Sequence, residues 1–247
     1  MELSFRKLGT DIGARHFGRC KMKLWAILIA ALIPSYAAAQ PTADMTYTLQ
    51  FGDQPDYDDY QNFEMGLSFS NDISNYAGLG YQVDGYYLKY PNYPDDDIYG
   101  VNFHLTYDLS DTTALGVFWG YQSWEGDPYS LAGLEYTAKL QNWQFNINGG
   151  LEKELDDDGD VVSLASTLLM YNFSNDFSLG GALGYYEGSD ITYEAIVEKR
   201  FQNGAALRLS ALDTRDDGMI YRIAFTQDIG RGAKFRRPDY LAIFSSW

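Results

Sequence analysis

Cysteine is almost absent from this chain, which has one, Cys20, in 247 residues. A single thiol cannot form an intramolecular disulfide, so the fold must be held by a large core or by a closed ladder of backbone hydrogen bonds. Long apolar runs are scarce as well. The run at residues 24–33 has ten residues, whereas a helix needs about 20 to cross a bilayer. If the chain meets a membrane, it does so with strands.

Basic residues are also few, since 18 Lys and Arg stand against 34 Asp and Glu. The first 39 residues contain six of the basic residues and two of the acidic ones, which leaves 12 against 32 and a net charge of −20 in the remainder. A surface this acidic argues against nucleic acid or anionic lipid as a partner.

The first 39 residues are predicted to be a removable leader. Lys23 supplies a basic start, residues 24–36 an apolar stretch, and Ala37-Ala38-Ala39 a cleavage motif. This is the pattern of a secretory signal peptide cut before Gln40. Met22 is a candidate for the true start of translation. We therefore divide the chain into a leader (1–39), a main body (40–227) and a tail (228–247).

The main body is dominated by alternation with a period of two residues. In residues 98–107, IYGVNFHLTY, one side carries Tyr99, Val101, Phe103, Leu105 and Tyr107, and the other is small and polar. Such alternation is typical of half-buried strands. About twelve segments match it: 45–51, 62–69, 76–87, 98–107, 113–122, 130–140, 143–153, 161–171, 177–186, 191–201, 205–212 and 219–227.

The connections between these segments alternate between short and long. The short ones are 70–75, 108–112, 141–142, 172–176 and 202–204, and the longer, acidic ones are 52–59, 89–97, 123–128, 154–160, 187–190 and 213–218. This order is typical of an up-and-down antiparallel barrel with tight turns at one end and loops at the other. An even number of strands places both chain ends on the side of the short turns.

Large side chains on one face of every strand decide between a water-soluble and a membrane barrel. Twelve strands that each offered four or five bulky apolar residues would overfill a barrel interior. The bulky faces therefore belong outside, against lipid, and the faces rich in glycine, serine and asparagine belong inside. A soluble, lipocalin-like β protein is the alternative at the level of the fold.

The AAA-Q leader junction, the even series of alternating strands, the acidic loops and the terminal Trp247 resemble those of bacterial outer-membrane β-barrels, and within that class of small porin-like proteins. The resemblance implies an all-β, transmembrane, antiparallel barrel in a Gram-negative outer membrane. Outer-membrane barrels commonly end in an aromatic residue that closes the last strand. Here Pro238 interrupts the alternation before Trp247. Either segment 219–227 closes the barrel or the tail adds a further strand.

Charged residues on the polar faces are the candidates for a channel lining. Opposite charges in a narrow barrel form either a structural ion network or a selectivity constriction. We expect Glu194 and Glu198 to lie beside Arg208, and Arg208 beside Arg222. The candidate set is Glu64, Asp84, His104, Glu135, Lys139, Glu152, Glu194, Glu198, Arg200, Arg208 and Arg222.

A calcium loop is only weakly indicated. Asp156, Asp158 and Asp160 fit the first positions of an EF-hand, but Val161 and Thr167 occupy the places of its glycine and glutamate. The alternative is a solvated acidic loop that attracts cations to the mouth of a barrel.

An enzyme is disfavoured because His104 is the only histidine after residue 39. Catalysis based on histidine needs a nucleophile and an orienting group beside it. In the outer-membrane class, phospholipases use a His and a Ser on the lipid-facing side, and omptin-type proteases use His and Asp at the outer rim. A lumen-facing His104 in mid-strand fits neither.

The tail carries Arg231, Lys234, Arg236 and Arg237 within seven positions. It is either a basic periplasmic tail or a plug that folds into the acidic lumen. The sequence as a whole predicts an outer-membrane pore for small solutes that prefers cations, without a cofactor. The alternatives are a structural or adhesion barrel that does not conduct and, less favoured, a membrane enzyme. The oligomeric state is not indicated.

Overall fold

The computed structural model describes residues 44–53, 61–73, 76–89, 97–124, 126–155, 160–174, 176–189, 191–213, 218–230 and Phe235. All of them lie in one compact unit, residues 43–247. The predicted leader, and the tail beyond Gly230 apart from Phe235, lie outside the described residues.

Twelve strands form a closed antiparallel barrel, which confirms the predicted fold class. No helix in the described part of the chain is long and apolar enough to cross a membrane. The strands are β1 Asp44–Asp53, β2 Gln61–Asp72, β3 Leu79–Lys89, β4 Ile98–Ser110, β5 Thr113–Trp124, β6 Asp127–Leu140, β7 Trp143–Glu154, β8 Val161–Ser174, β9 Phe177–Tyr186, β10 Thr192–Arg200, β11 Ala205–Asp213 and β12 Met219–Ile229.

Each strand pairs with its neighbours in the chain, and β1 pairs with β12 to close the ring. The closing register runs from Met45 opposite Ile229 to Asp53 opposite Tyr221. Of the two possibilities left open by the sequence, closure by segment 219–227 is the one observed, and β12 continues two residues further. Closure removes the sheet edges, so backbone groups along the strands are hydrogen bonded within the ring, as a lipid environment requires.

The connections depart from the predicted alternation at two places. The connection between β2 and β3 was expected to be short, but it spans residues 73–78 and is longer than the one between β9 and β10. Segment 123–128 was expected to be a longer loop, and this expectation was wrong. Ser123 pairs with Pro128 and Trp124 with Asp127, so β5 and β6 are joined by a two-residue turn. Pro128 is tolerated in the ladder because it lies next to the first residue of its strand.

The outer face of the barrel is apolar. Trp119 is 58% exposed and Leu134 is 66% exposed, although both lie in the middle of their strands. A contiguous apolar surface on this scale is a lipid-facing surface rather than a water-facing one. Its members include Phe51, Phe103, Leu105, Val117, Ile147, Leu151, Leu179, Leu183, Leu209, Ile223 and Phe225.

Aromatic side chains concentrate on this outer face near both ends of the strands. Towards the short turns, Trp143 packs edge-on against Tyr171 with ring centroids 4.8 Å apart, and Tyr171 packs edge-on against Phe173 at 4.9 Å. Towards the loops, Phe51 contacts Phe63 at 5.1 Å. Such rows mark the two headgroup levels of a membrane barrel.

The inner face is not uniformly polar, which corrects the expectation of a lumen lined only by small and polar residues. Near the loop end, six buried apolar side chains form one cluster inside the barrel: Tyr86, Leu88, Ile98, Phe118, Leu131 and Leu164. Trp124 and Tyr186 pack against this cluster. The loop end of the lumen is therefore packed with apolar side chains.

Glycines on neighbouring strands make room for these large inward side chains. The Tyr86 ring lies over Gly100 and the Phe118 ring lies over Gly133, and in both places a Cβ atom would overlap the ring. A Cβ atom at Gly150 would lie 3.1 Å from the Phe118 ring. An inward aromatic residue covering the bare backbone of a glycine is a known way of filling a barrel interior.

Replacing Gly133 by alanine is expected to destabilise the barrel by about 1–3 kcal/mol, the usual effect of overpacking. The added methyl group would overlap both the Phe118 ring and the backbone oxygen of Gly149. The matched control is Gly149→Ala, because a Cβ there meets only the Leu164 oxygen at 3.7 Å. Urea unfolding of both variants from lipid vesicles is the measurement. Equal midpoints would contradict the overlap.

Candidate channel lumen

A buried charged triad lies halfway along the lumen. Asp84 on β3, His104 on β4 and Glu135 on β6 all point inward. His104 Nδ1 lies 2.7 Å from Oε1 of Glu135, and His104 Nε2 lies 3.0 Å from Oδ2 of Asp84, the latter as an ion pair off the line of a hydrogen bond. Each ring nitrogen thus faces a carboxylate oxygen, so the position of His104 suits a cation between two carboxylates.

Glycine again explains how the triad assembles across an intervening strand. β5 lies between β4 and β6, and its Gly116 is directly opposite Glu135. The Glu135 side chain occupies the space that a Cβ of residue 116 would take. The carboxylate therefore crosses β5 and reaches His104.

Phe235, the one described residue of the tail beyond Gly230, lies beside this triad inside the barrel. It is 2% exposed. Its backbone N–H donates to Oε1 of Gln82 at 3.0 Å, and its carbonyl oxygen accepts from Nε2 of Gln82 at 2.8 Å. Its ring stacks on His104 at 6.5 Å with 8° between the planes.

A second polar network lies within the apolar cluster at the loop end. The Tyr86 hydroxyl donates to Oε1 of Gln122 at 2.8 Å, and Nε2 of Gln122 donates to Oε2 of Glu152 at 3.1 Å. The Tyr186 hydroxyl donates to Oε1 of Glu152 at 3.0 Å. Glu152 is thus held by two neutral donors in apolar surroundings.

A third network lies near the short turns. Glu198 pairs with Arg208, as expected, with Nη2 at 3.1 Å from Oε2, and it also accepts from Nε of Arg200 at 3.0 Å. Arg200 reaches Asp228 at 3.4 Å, and the Thr46 hydroxyl donates to Asp228 at 2.6 Å. Glu198 is therefore shared by two guanidinium groups.

Glu194 does not lie beside Arg208, so that expectation was wrong. Glu194 is opposite Leu212 in the ladder, and its carboxylate faces Arg222 on β12 at 3.7 Å. Arg222 is opposite Ser210 rather than Arg208. The register therefore places Arg208 and Arg222 two residues apart along the barrel wall, which separates their charges.

The remaining lumen candidates are Glu64 and Lys139. Glu64 is buried on β2 and accepts from Nε2 of Gln50 at 3.5 Å. Lys139 is exposed near the short-turn end of β6. Of the calcium candidates, Asp156 and Asp158 lie outside the described residues, and Asp160 is exposed. Within the described ranges, no group of acidic or histidine side chains is arranged to hold a metal ion.

Several inward polar atoms have no hydrogen-bond partner among the described residues. They belong to Asn62, Asn102, Thr106, Asn146, Asn148 and Thr192. Buried polar groups are costly unless they are hydrogen bonded. Groups of this kind on a barrel wall suit contact with water or a polar solute.

Sequence reasoning placed the charged residues on the inner face correctly but missed several partners. Gln82, Gln122 and Tyr86 were read as ordinary strand residues, and Asp228 was assigned to the tail. A signal for Tyr86 and Phe118 was available, since Tyr86 lies between Gly66 and Gly100 on its two neighbouring strands and Phe118 lies opposite Gly133. No such signal existed for Phe235, because the tail has no strand pattern that fixes its neighbours.

No family model and no curated protein matches the chain. Among solved structures, the barrel is similar to the KdgM porin, with a TM-score of 0.53 and 13% identity over 75% of this chain and 99% of that one. It is also similar to the NanC porin, with a TM-score of 0.53 and 9% identity over 74% and 98% of the two chains. At this identity the likeness concerns the fold, which is that of a porin-like outer-membrane β-barrel.

Proposed function

We propose that this chain is an outer-membrane channel for passive diffusion of small solutes, with a preference for cations. The observation that carries the proposal is a closed barrel whose outside is apolar and whose inner wall carries many polar and acidic side chains. Such a wall lets ions or polar solutes cross a lipid layer without a chemical step. The porin-like fold supports the same conclusion.

Cation preference follows from the balance of inward charges. The inward carboxylates include Glu64, Asp84, Glu135, Glu152, Glu194, Glu198 and Asp228, whereas the inward basic groups are Lys139, Arg200, Arg208, Arg222 and His104 in the described strands. Exposed loop carboxylates add to the negative field. Glu187 accepts from the backbone N–H of Ser163, which keeps the pKa of its carboxyl below the usual value and its charge negative at neutral pH.

One similar structure is described as the KdgM porin in complex with disordered oligogalacturonate. Oligogalacturonate is a polyanion, and an acidic lumen repels polyanions. The charge of this lumen therefore favours cations or neutral polar solutes as the permeant class.

The test is conductance across a planar bilayer, with the reversal potential measured under a salt gradient. Replacing Glu198 by glutamine is expected to lower the cation-to-anion permeability ratio severalfold, because Arg200 and Arg208 then lose their shared carboxylate. Charge reversal in Glu198→Lys should shift the ratio further. An unchanged reversal potential in both variants would refute a selectivity role for Glu198.

The matched control is Asp176→Asn. Asp176 is exposed on a short turn and pairs with Lys199 outside the lumen, which holds the pKa of this carboxyl below its usual range. The substitution therefore removes one negative charge without touching the lumen wall. Its reversal potential should equal that of the unmodified protein.

A barrel that does not conduct is the second candidate. The observation that favours it is the apolar cluster around Tyr86, Phe118 and Leu131, which packs the loop end of the lumen. A correctly folded protein that is silent in the bilayer at all voltages would favour this candidate over a channel.

A further inference from the structure

Gln82 holds the backbone of Phe235 with both ends of its side-chain amide. The amide oxygen accepts the Phe235 N–H, and the amide nitrogen donates to the Phe235 carbonyl. An extended strand forms the same pair of hydrogen bonds with the backbone of a neighbouring peptide. The contact therefore depends on the backbone of the bound residue and not on its side chain. A single wall residue thus recognises one residue of an extended peptide.

The Gln82 amide has a further contact that does not involve the tail. Its nitrogen also donates to Oδ1 of Asp84 at 2.9 Å, and the residue is completely buried. The two donors and the acceptor of the amide are therefore all used in the occupied site. Flipping the amide would place its oxygen against the Asp84 carboxylate, so Asp84 fixes the orientation that accepts a peptide.

The Phe235 side chain adds an aromatic contact to the backbone contact. Its ring is nearly parallel to that of His104, which also contacts Phe118 at 6.0 Å. Offset stacking at such separations is favourable. The site therefore has a backbone clamp, Gln82, and a flat ring platform, His104.

Charge and chain length favour the chain's own tail as the occupant. Four basic residues, Arg231, Lys234, Arg236 and Arg237, surround Phe235 in the sequence, and the site lies among the carboxylates of Asp84 and Glu135. Phe235 follows the last strand residue, Ile229, by six residues, and a chain of that length spans at most about 20 Å.

We propose that Gln82 and His104 form a peptide-binding site on the lumen wall, that its occupant is Phe235 of the chain's own C-terminal segment, and that Phe235 in this site obstructs the pore. The obstruction rests on the proposed channel function, whereas the site itself does not. Phe235 is then a tethered plug, retained by its contacts with Gln82 and His104.

Cross-linking tests the site without reference to conduction. The only native cysteine, Cys20, lies in the predicted leader, so the introduced cysteines are the only thiols of residues 40–247 that can react with a cross-linking reagent. Ser70 faces the lumen opposite Gln82, and Lys234 adjoins Phe235 in the chain, so a Ser70→Cys, Lys234→Cys protein retains both contact residues. A short, reducible bis-thiosulfonate reagent is expected to join these two positions within one chain.

The matched control is Ser210→Cys with Lys234→Cys, since Ser210 lies on β11, four strands away from β3 around the ring. This pair should cross-link at least tenfold less. Absence of a cross-link from Ser70 would overturn the site. A cross-linked dimer would assign the occupant to a second copy and overturn the proposed self-occupancy.

Conductance then tests the obstruction in the full chain. Phe235→Ala should raise single-channel conductance or open time severalfold, and Phe244→Ala, which changes another phenylalanine of the tail, should leave both unchanged. Reduction of the Ser70–Lys234 cross-link should restore current. Efficient cross-linking with equal conductance in Phe235→Ala and the unmodified protein would overturn the obstruction. If no variant conducts in the bilayer, the channel function and the obstruction are both overturned. The cross-linking result then determines by itself whether Phe235 occupies the site.

Discussion

Replacing Leu134 by arginine is expected to destabilise the folded barrel in a bilayer by about 2–4 kcal/mol, the cost of a basic side chain on the lipid face at mid-membrane depth. Leu134 is the eighth of the fourteen residues of β6, and its side chain is 66% exposed on the outer face. On a water-soluble barrel the same change would replace an exposed leucine with a charge at a cost within about 0.5 kcal/mol. The substitution therefore distinguishes lipid from water outside the barrel.

The measurement is reversible urea unfolding from phospholipid vesicles. Leu155→Arg is the control, because Leu155 is 52% exposed just beyond the loop end of β7 and a basic residue near the interface costs only about 0–1 kcal/mol. Equal free energies of unfolding for the two variants would contradict a membrane-spanning β6 and restore the soluble alternative.

Replacing His104 by leucine is expected to reduce the free energy of unfolding by about 3–5 kcal/mol, the range found when one partner of a buried ion pair is removed. Asp84 and Glu135 would remain buried in the lumen without the ring that lies between them. The loss should be larger than that of any other single lumen substitution proposed for this chain. Urea unfolding from vesicles again supplies the measurement.

Neutralising the carboxylates separates charge from packing. If the cost of His104→Leu is electrostatic, adding Asp84→Asn and Glu135→Gln to it should recover more than half of the lost stability, because no unpaired charge then remains buried. If the triple variant is no more stable than His104→Leu, the ring acts through packing against Phe118 and Phe235 and the ionic account is wrong.

The strands and their inner faces could be predicted because a period of two residues is imposed locally by the backbone. His104, Asp84 and Glu135 each occupy the polar side of an alternating segment, and each points into the barrel. The contacts among them depend on register, which short segments do not determine. Glu194 was placed beside Arg208 because strand order alone was considered, whereas the register brings it to Arg222.

The apolar cluster was missed for a different physical reason. Alternation from Asp84 places Tyr86 on the inner face, but bulky side chains were assigned to the lipid face as a class, so an inward tyrosine was not expected. The structure places Tyr86 inside, over Gly100, and pairs Tyr87 with Tyr99 outside near the loops. The position of Phe235 is harder still to predict from the sequence, because its contact with Gln82 joins residues that are 153 positions apart.

Eleven of the twelve strand pairings join segments that are consecutive in the chain, and only the pairing of β1 with β12 joins its two ends. Neighbouring hairpins can form early because their closure entropy is small, whereas the last seam requires nearly the entire chain to have been delivered. Phe235 follows that seam by six residues. The contact between Phe235 and Gln82 joins residues that are 153 positions apart, so we expect it to form as late as the seam itself.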